Sequence, residues 1–169
     1  MSLLAASAPR RLVVDTGTLL VRADAPAIPG GSFLVEDGRV AAVGRRDDFA
    51  EGDERLDLTH RVVSPGLVDS HVHVEFDPMD DDLLVINQYR EDREDAVLAG
   101  RAVVNLRSLL ASGVTTVRDC ASSVALLRLR DRLASGQIDV ATPRLLACGL
   151  LLTVTAGHLA WVGLRCDSP

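Results

Sequence analysis

Apolar residues along this chain follow two rhythms. Up to about residue 63 they come in short β-prone runs: Leu12-Val13-Val14, Leu19-Leu20-Val21, Ser32-Phe33-Leu34-Val35, Val40-Ala41-Ala42-Val43, Leu56-Asp57-Leu58 and Val62-Val63. Turn-forming residues separate them at Ala25-Pro26, Pro29-Gly30-Gly31 and Asp37-Gly38. Glu36-Asp37-Gly38-Arg39 predicts a hairpin, because Asp-Gly supplies the positive φ that a tight turn between strands needs. This first segment is expected to form a small sheet that is marginal as an independent domain.

From Gly66 onward the rhythm becomes strand, helix, strand, helix, strand. An apolar run enters at Pro65-Gly66 and ends near His73. The acidic stretch from Glu75 to Asp82 then reads as a loop. A helix is predicted from about Glu91 to Ser112, with Ala99, Val103, Leu106 and Leu110 on one face and Gly113 as its stop. Val114 to Val117 is a β-branched strand. Ser122 or Ser123 caps a second helix, with Leu126, Leu129 and Leu133 inward and Gly136 at its end, and Arg144 to Cys148 is a third strand. Alternation of this kind implies an α/β fold with parallel strands and right-handed crossovers.

Composition narrows the function classes. The 169 residues are 47% hydrophobic and 25% charged, as in an ordinary globular protein with a real core. A net charge of −6 and an aromatic content of 3% argue against a nucleic-acid partner. The apolar stretch from Leu145 to Val154 is too short to cross a bilayer, and Arg10-Arg11 follow the N-terminal apolar residues instead of preceding them. No membrane association and a cytoplasmic location are therefore expected. Cys120, Cys148 and Cys166 lack metal-type spacing and read as small buried thiols.

The chemistry concentrates at the end of the first strand of the second segment. Residues i and i+2 of a strand share a face, so His71 and His73 present two imidazoles side by side. A bare His-x-His is either a pair of exposed strand histidines or two ligands of one divalent metal. The surrounding Pro65-Gly66-Leu67-Val68-Asp69-Ser70-His71-Val72-His73 resembles the first barrel strand of the amidohydrolase superfamily, Pro-Gly-hydrophobic-hydrophobic-Asp-x-His-x-His. Gly113 to Asp119 resembles the second strand of the branch with imidazolonepropionase-like and Xaa-Pro or Xaa-Arg dipeptidase-like members. Pro143 to Gly149, leading to Thr155-Ala156-Gly157-His158, resembles that branch's third strand and following loop. Ala156 and Leu159 stand where its Thr-Gly-Gly-His-Gly loop has glycine.

The resemblance implies the N-terminal part of a (β/α)8 TIM barrel in residues 64–169, as three strands and two helices, preceded by part of a β-sandwich in residues 1–63. It implies a metal-dependent hydrolase acting on the C–N bond of a cyclic amide or dipeptide-like small molecule through an activated water. His71 and His73 would be metal ligands, and zinc is the leading metal. Such strand ends are where barrel active sites form. Arg118 and His158 are candidate substrate contacts; Arg118 and Asp119 could instead pair with each other or with neighbouring charges, and His158 could be a plain loop histidine. Asp77 to Asp82 lacks the spacing and turn glycine of a calcium loop and reads as solvated. Tyr89 and Trp161 read as packing residues, and His60 receives no role.

A full barrel takes about 250 residues. In the superfamily, later strands bring a carboxylated lysine or a glutamate, two histidines and an aspartate. All 18 basic residues here are arginine, so a carboxylated-lysine bridge cannot form within these residues. The expectation is an N-terminal fragment or one chain of a split enzyme, with the remainder of the barrel from a longer chain or a second subunit, and a homo-oligomer as a further possibility. The general acid/base is expected beyond residue 169. Competing expectations are a lactonase, carbamate hydrolase or deaminase, or a truncated, non-catalytic pseudo-enzyme or assembly subunit.

Overall fold

The computed structural model describes residues 11–50, 54–76, 94–157 and 163–167. They divide into two compact units, residues 1–65 and 66–169.

The first unit is a five-stranded mixed sheet built around β1 (Arg11–Leu19). β2 (Ile28–Pro29) and β3 (Gly31–Glu36) pair with β1 antiparallel, β4 (Arg39–Arg45) pairs with β3, and β5 (Glu54–Val63) runs parallel to β1 on its other side. The predicted hairpin closes β3 onto β4, with Asp37 at φ 48° and Gly38 at φ 76°. β1 extends beyond its apolar run to Leu19, leaving Leu20 and Val21 outside it, and β5 joins two runs that the pattern separates. β1 passes through Asp15-Thr16-Gly17-Thr18 with a register shift between Thr16 and Thr18, and β5 runs unbroken from Glu54 through Thr59-His60-Arg61. Pairing with β1 on both sides of Thr59-His60-Arg61, which themselves have no register partner there, holds β5 in line across the polar interruption.

Central position buries Asp15 within this sheet, and the surrounding groups compensate its charge. Ser32 Oγ donates to Asp15 Oδ1 at 2.7 Å, Arg55 Nη1 donates to both carboxylate oxygens at 3.1 Å, and Arg46 Nη1 stands 3.7 Å away. Burial pushes the carboxyl's pKa up, but the serine hydrogen bond and the arginines outweigh it and hold the group below the ordinary carboxylate range.

In the second unit β6 (Leu67–Val72), β7 (Val114–Asp119) and β8 (Arg144–Ala147) form a parallel sheet in that order. α1 (Asp95–Ala111) and α2 (Val124–Ala134) connect them. Gly66 stands where a Cβ would come 2.1 Å from the Thr115 hydroxyl oxygen. The glycine thus lets the chain enter β6 close beside β7, where Leu67 N donates to Gly113 O at 2.9 Å. A small parallel pair, β9 (Leu152–Thr153) with β10 (Leu164–Arg165), has no counterpart in the predicted elements.

Val74, Ala102, Leu106, Val117, Leu126, Leu129 and Leu145 make the core between sheet and helices. The buried stripe of α1 is Leu98, Ala102 and Leu106, with Ala99, Val103 and Leu109 flanking it. It is rotated from the predicted stripe, because the helix docks where it also meets the turn after β6. Ser123 caps α2, accepting from Leu126 N at 3.1 Å, and Gly113 and Gly136 follow their helices with positive φ as predicted. The opposite face of the sheet leaves Val68 68% and Leu146 44% exposed.

The cysteine expectation is corrected. All three are free thiols, but Cys148 and Cys166 are exposed and Cys120 is half-buried. Cys148 lies just past the end of β8 and Cys166 just past β10, outside the core that a cysteine on a strand would join. Among the described residues no helix is long and apolar enough to cross a membrane.

Candidate functional site

A local irregularity in β6 decides which way the histidines face. Asp69 pairs with Val117 and Val72 with Asp119, so three steps along β6 match two along β7. Partners in a parallel pair share a face. Val117 and Asp119 belong to the helix-covered face, where both are fully buried. Asp69 and Val72 therefore take that face too, and the extra residue shifts the alternation between them. Without it His71 would share the face of Asp69; with it, His71 falls on the opposite side. Asp69 supports the irregularity, its Oδ1 accepting from His71 N at 3.2 Å.

The two imidazoles are neighbours, with ring centroids 5.2 Å apart and planes at 85°. His71 is exposed and His73 half-buried, and His73 lies against Phe76 with centroids 5.1 Å apart. β6 ends at Val72, so His73 opens a turn instead of closing a strand.

That turn is held from several directions. Val74 N donates to Asp119 Oδ2 at 2.8 Å. Asn105 Nδ2 donates to Val74 O and Phe76 O, both at 2.9 Å, and Arg101 Nη1 donates to Glu75 O at 3.3 Å. Arg101 and Asn105 are one helical turn apart on α1 and so reach the same place. The Glu75 carboxylate is buried and accepts from Ser123 N at 2.9 Å and from Ser123 Oγ, joining the turn to the start of α2. Chain leaving a strand loses its ladder partners, and here side chains take their place.

Sequence-predicted residues fare differently. Arg118 is exposed on the face opposite Asp119, its Nη1 donating to Cys120 Sγ at 2.9 Å and toward Ser70 O at 3.5 Å. Asp119 is fully buried and accepts from Val74 N, from Ala121 N at 3.1 Å and from Ser122 Oγ at 2.8 Å. The two side chains do not pair. Glu75, the first residue of the stretch read as an acidic loop, is instead a buried anchor. His158, Tyr89, Trp161 and Asp77 to Asp82 lie outside the described residues. Asn105 escaped sequence reasoning; its one signal was a polar residue between Val104 and Leu106 in an apolar helix. Among the described residues no cluster of three or more His, Cys, Asp or Glu side chains could hold a metal ion.

A sequence model of the amidohydrolase family matches residues 62–168. An imidazolonepropionase of Mycolicibacterium smegmatis is 43% identical over 63 residues, which make up 37% of this chain and 14% of that protein. An allantoinase of Escherichia coli is 33% identical over 63 residues, 37% of this chain and 13% of that protein. Among solved structures, an Xaa-Pro dipeptidase with bound methionine superposes with a TM-score of 0.71 at 24% identity, over 89% of this chain and 36% of its own. A prolidase from Bifidobacterium longum, described as putative, gives 0.68 at 25% identity, over 94% and 35%. The chain thus spans about a third of those structures, and its matched stretch spans 13% and 14% of the two curated relatives.

Proposed function

This chain belongs to the amidohydrolase family, and from that we propose that it carries part of the active site of a metal-dependent hydrolase, with His71 and His73 as two ligands of one divalent ion. The observation that carries the reading is the spacing of the two rings. An imidazole bound through one nitrogen at a zinc–nitrogen distance of 2.0–2.1 Å puts its centroid roughly 3.2 Å from the ion. Two such rings at a tetrahedral angle stand about 5.2 Å apart, and the His71–His73 separation is 5.2 Å. Imidazole nitrogen also suits zinc among the common divalent metals.

A divalent ion here would supply a more acidic water and polarise a carbonyl. The chain's own residues do the positioning. The irregularity in β6 turns His71 away from the helix-covered face, with the His73 ring beside it, and Arg118 extends from the same face of β7 as a cation able to hold a substrate carboxylate or carbonyl. The substrate is a small molecule with a C–N bond in a cyclic amide or dipeptide-like setting, in keeping with the names of the relatives above. The second unit forms opening strands of a (β/α)8 barrel, and the first forms part of the accompanying β-sandwich. The other ligands and the general acid/base come from outside the described residues, in this chain or in further polypeptide.

The test is metal content and amide hydrolysis of the full-length gene product, compared with His71→Ala and His73→Ala. The expected outcome is joint loss of metal and turnover. Loss of bound metal with turnover intact would overturn the assignment.

A further inference from the structure

The Val74 peptide is gripped on both of its polar atoms. Its N–H donates to Asp119, at the end of β7, and its carbonyl accepts from Asn105, in the middle of α1. We propose that Asn105 and Asp119 are positioning residues for the His73 imidazole, holding the peptide that follows it so that the ring meets a divalent ion in one orientation. The inference rests on the reading of His73 as a metal ligand.

Neither residue is free to give way. The Asn105 amide nitrogen has two protons and two acceptors, Val74 O and Phe76 O, at 2.9 Å each. It therefore bridges two carbonyls of the turn, those of Val74 and Phe76. Asp119 turns Oδ2 to Val74 while Oδ1 takes Ala121 N and the Ser122 hydroxyl, so its carboxylate plane is set by the chain that follows β7. Asp119 is fully buried, and hydrogen bonds to a buried carboxylate are stronger than those between neutral groups. His73 itself lies just beyond the last β6 residue, and the peptide that enters it is held by Cys120 N, which donates to Val72 O at 3.0 Å. The Val74 contacts fix the peptide on its other side, and its ring lies against Phe76, whose carbonyl Asn105 also holds. Two separate elements, a strand end and a helix, thus converge on the residue next to a ligand. Groups that orient metal ligands typically change metal affinity by 10–100-fold when removed.

The experiment uses the full-length gene product and two readouts: the zinc dissociation constant from chelator competition, and the visible absorption of the cobalt(II)-substituted protein. Asn105→Ala and Asp119→Asn are expected to weaken zinc binding by about 10–100-fold and to alter the cobalt band, at temperatures where circular dichroism shows a folded protein. Leu129→Ala, which loosens the core away from the turn, is the control for a merely structural effect. It is expected to lower the melting temperature while leaving the cobalt spectrum unchanged. Native zinc affinity and an unaltered spectrum in both clamp variants, with binding abolished in His73→Ala, would overturn the proposal and leave the ligand assignment standing. Native affinity in His73→Ala would overturn the ligand assignment itself. If Asp119→Asn does not fold, Asn105→Ala and Ser122→Ala decide the matter by the same two readouts.

Discussion

Each unit of this protein buries an aspartate, and the two are satisfied in opposite ways. Asp15 in β1 is neutralised by arginines brought from β5 and from the turn after β4, together with Ser32 on β3. Asp119 in β7 takes its hydrogen bonds, among the described residues, from neutral donors: two backbone N–H groups and a hydroxyl. A carboxylate matched by cations ties side chains together within a sheet. One matched by backbone N–H groups fixes where main chain goes, and at Asp119 that main chain is the turn carrying His73. Burial of a charge is tolerable in both places because it is compensated, but only the second arrangement holds main chain next to a proposed metal ligand.

The sharpest way to break this comparison is to remove one of the two proposed ligands. His71→Ala in the full-length protein is expected to reduce turnover by more than about 100-fold while changing stability by no more than about 0.5 kcal/mol, because the ring is exposed. Measuring kcat beside the denaturant midpoint checks both halves. A large loss of stability would mean that the histidine face contributes to the fold.

Packing beneath the site comes next. Leu106 is fully buried in the second unit's core, and Leu106→Ala is expected to cost about 2–5 kcal/mol by urea unfolding. A cost below about 1 kcal/mol would show that α1 is held mainly by its polar contacts with the turn.

For Asp15 the expected cost of replacement by asparagine is about 1–3 kcal/mol near neutral pH, since a buried network loses its charged member. Its pKa in the folded protein lies below its unfolded value, so its contribution is present above the unfolded pKa and lost as pH falls through the folded one. Asp15→Asn is accordingly expected to flatten the acid limb of the stability curve. An unchanged acid limb in urea titrations at stepped pH would show that the arginines do not stabilise the charged form.

The smallest structural effect is expected at Arg118. The side chain is exposed, so Arg118→Ala should leave the melting temperature nearly unchanged. If it holds substrate, KM rises by about 10-fold with kcat nearly kept, as for loss of a charge-assisted hydrogen bond made equally in ground and transition states. Unchanged KM would remove it from the site.

Much of this was legible in the residues themselves. Asp37-Gly38 demands a tight turn whatever surrounds it, because few residues accept positive φ. Gly113, Ser123 and Gly136 mark helix ends through local backbone and capping chemistry. His71-Val72-His73 announces a pair of imidazoles at adjacent same-face positions. What was misread has one cause. Extending β1 past its apolar run, joining the runs of β5, rotating the buried stripe of α1 and exposing Cys148 and Cys166 all depend on neighbours distant in sequence.

Local chemistry along the chain thus determined the order of elements, the turn and cap positions and the two histidines, since each rests on residues a few places apart. Tertiary structure alone decided the rest. The face on which His71 stands follows from three steps of β6 matching two of β7, and the turn that carries His73 is held by Asn105 and Asp119, distant from it in sequence. Hydrogen bonds between distant segments leave no periodic trace in a sequence, because each needs only one suitable side chain brought near by the fold.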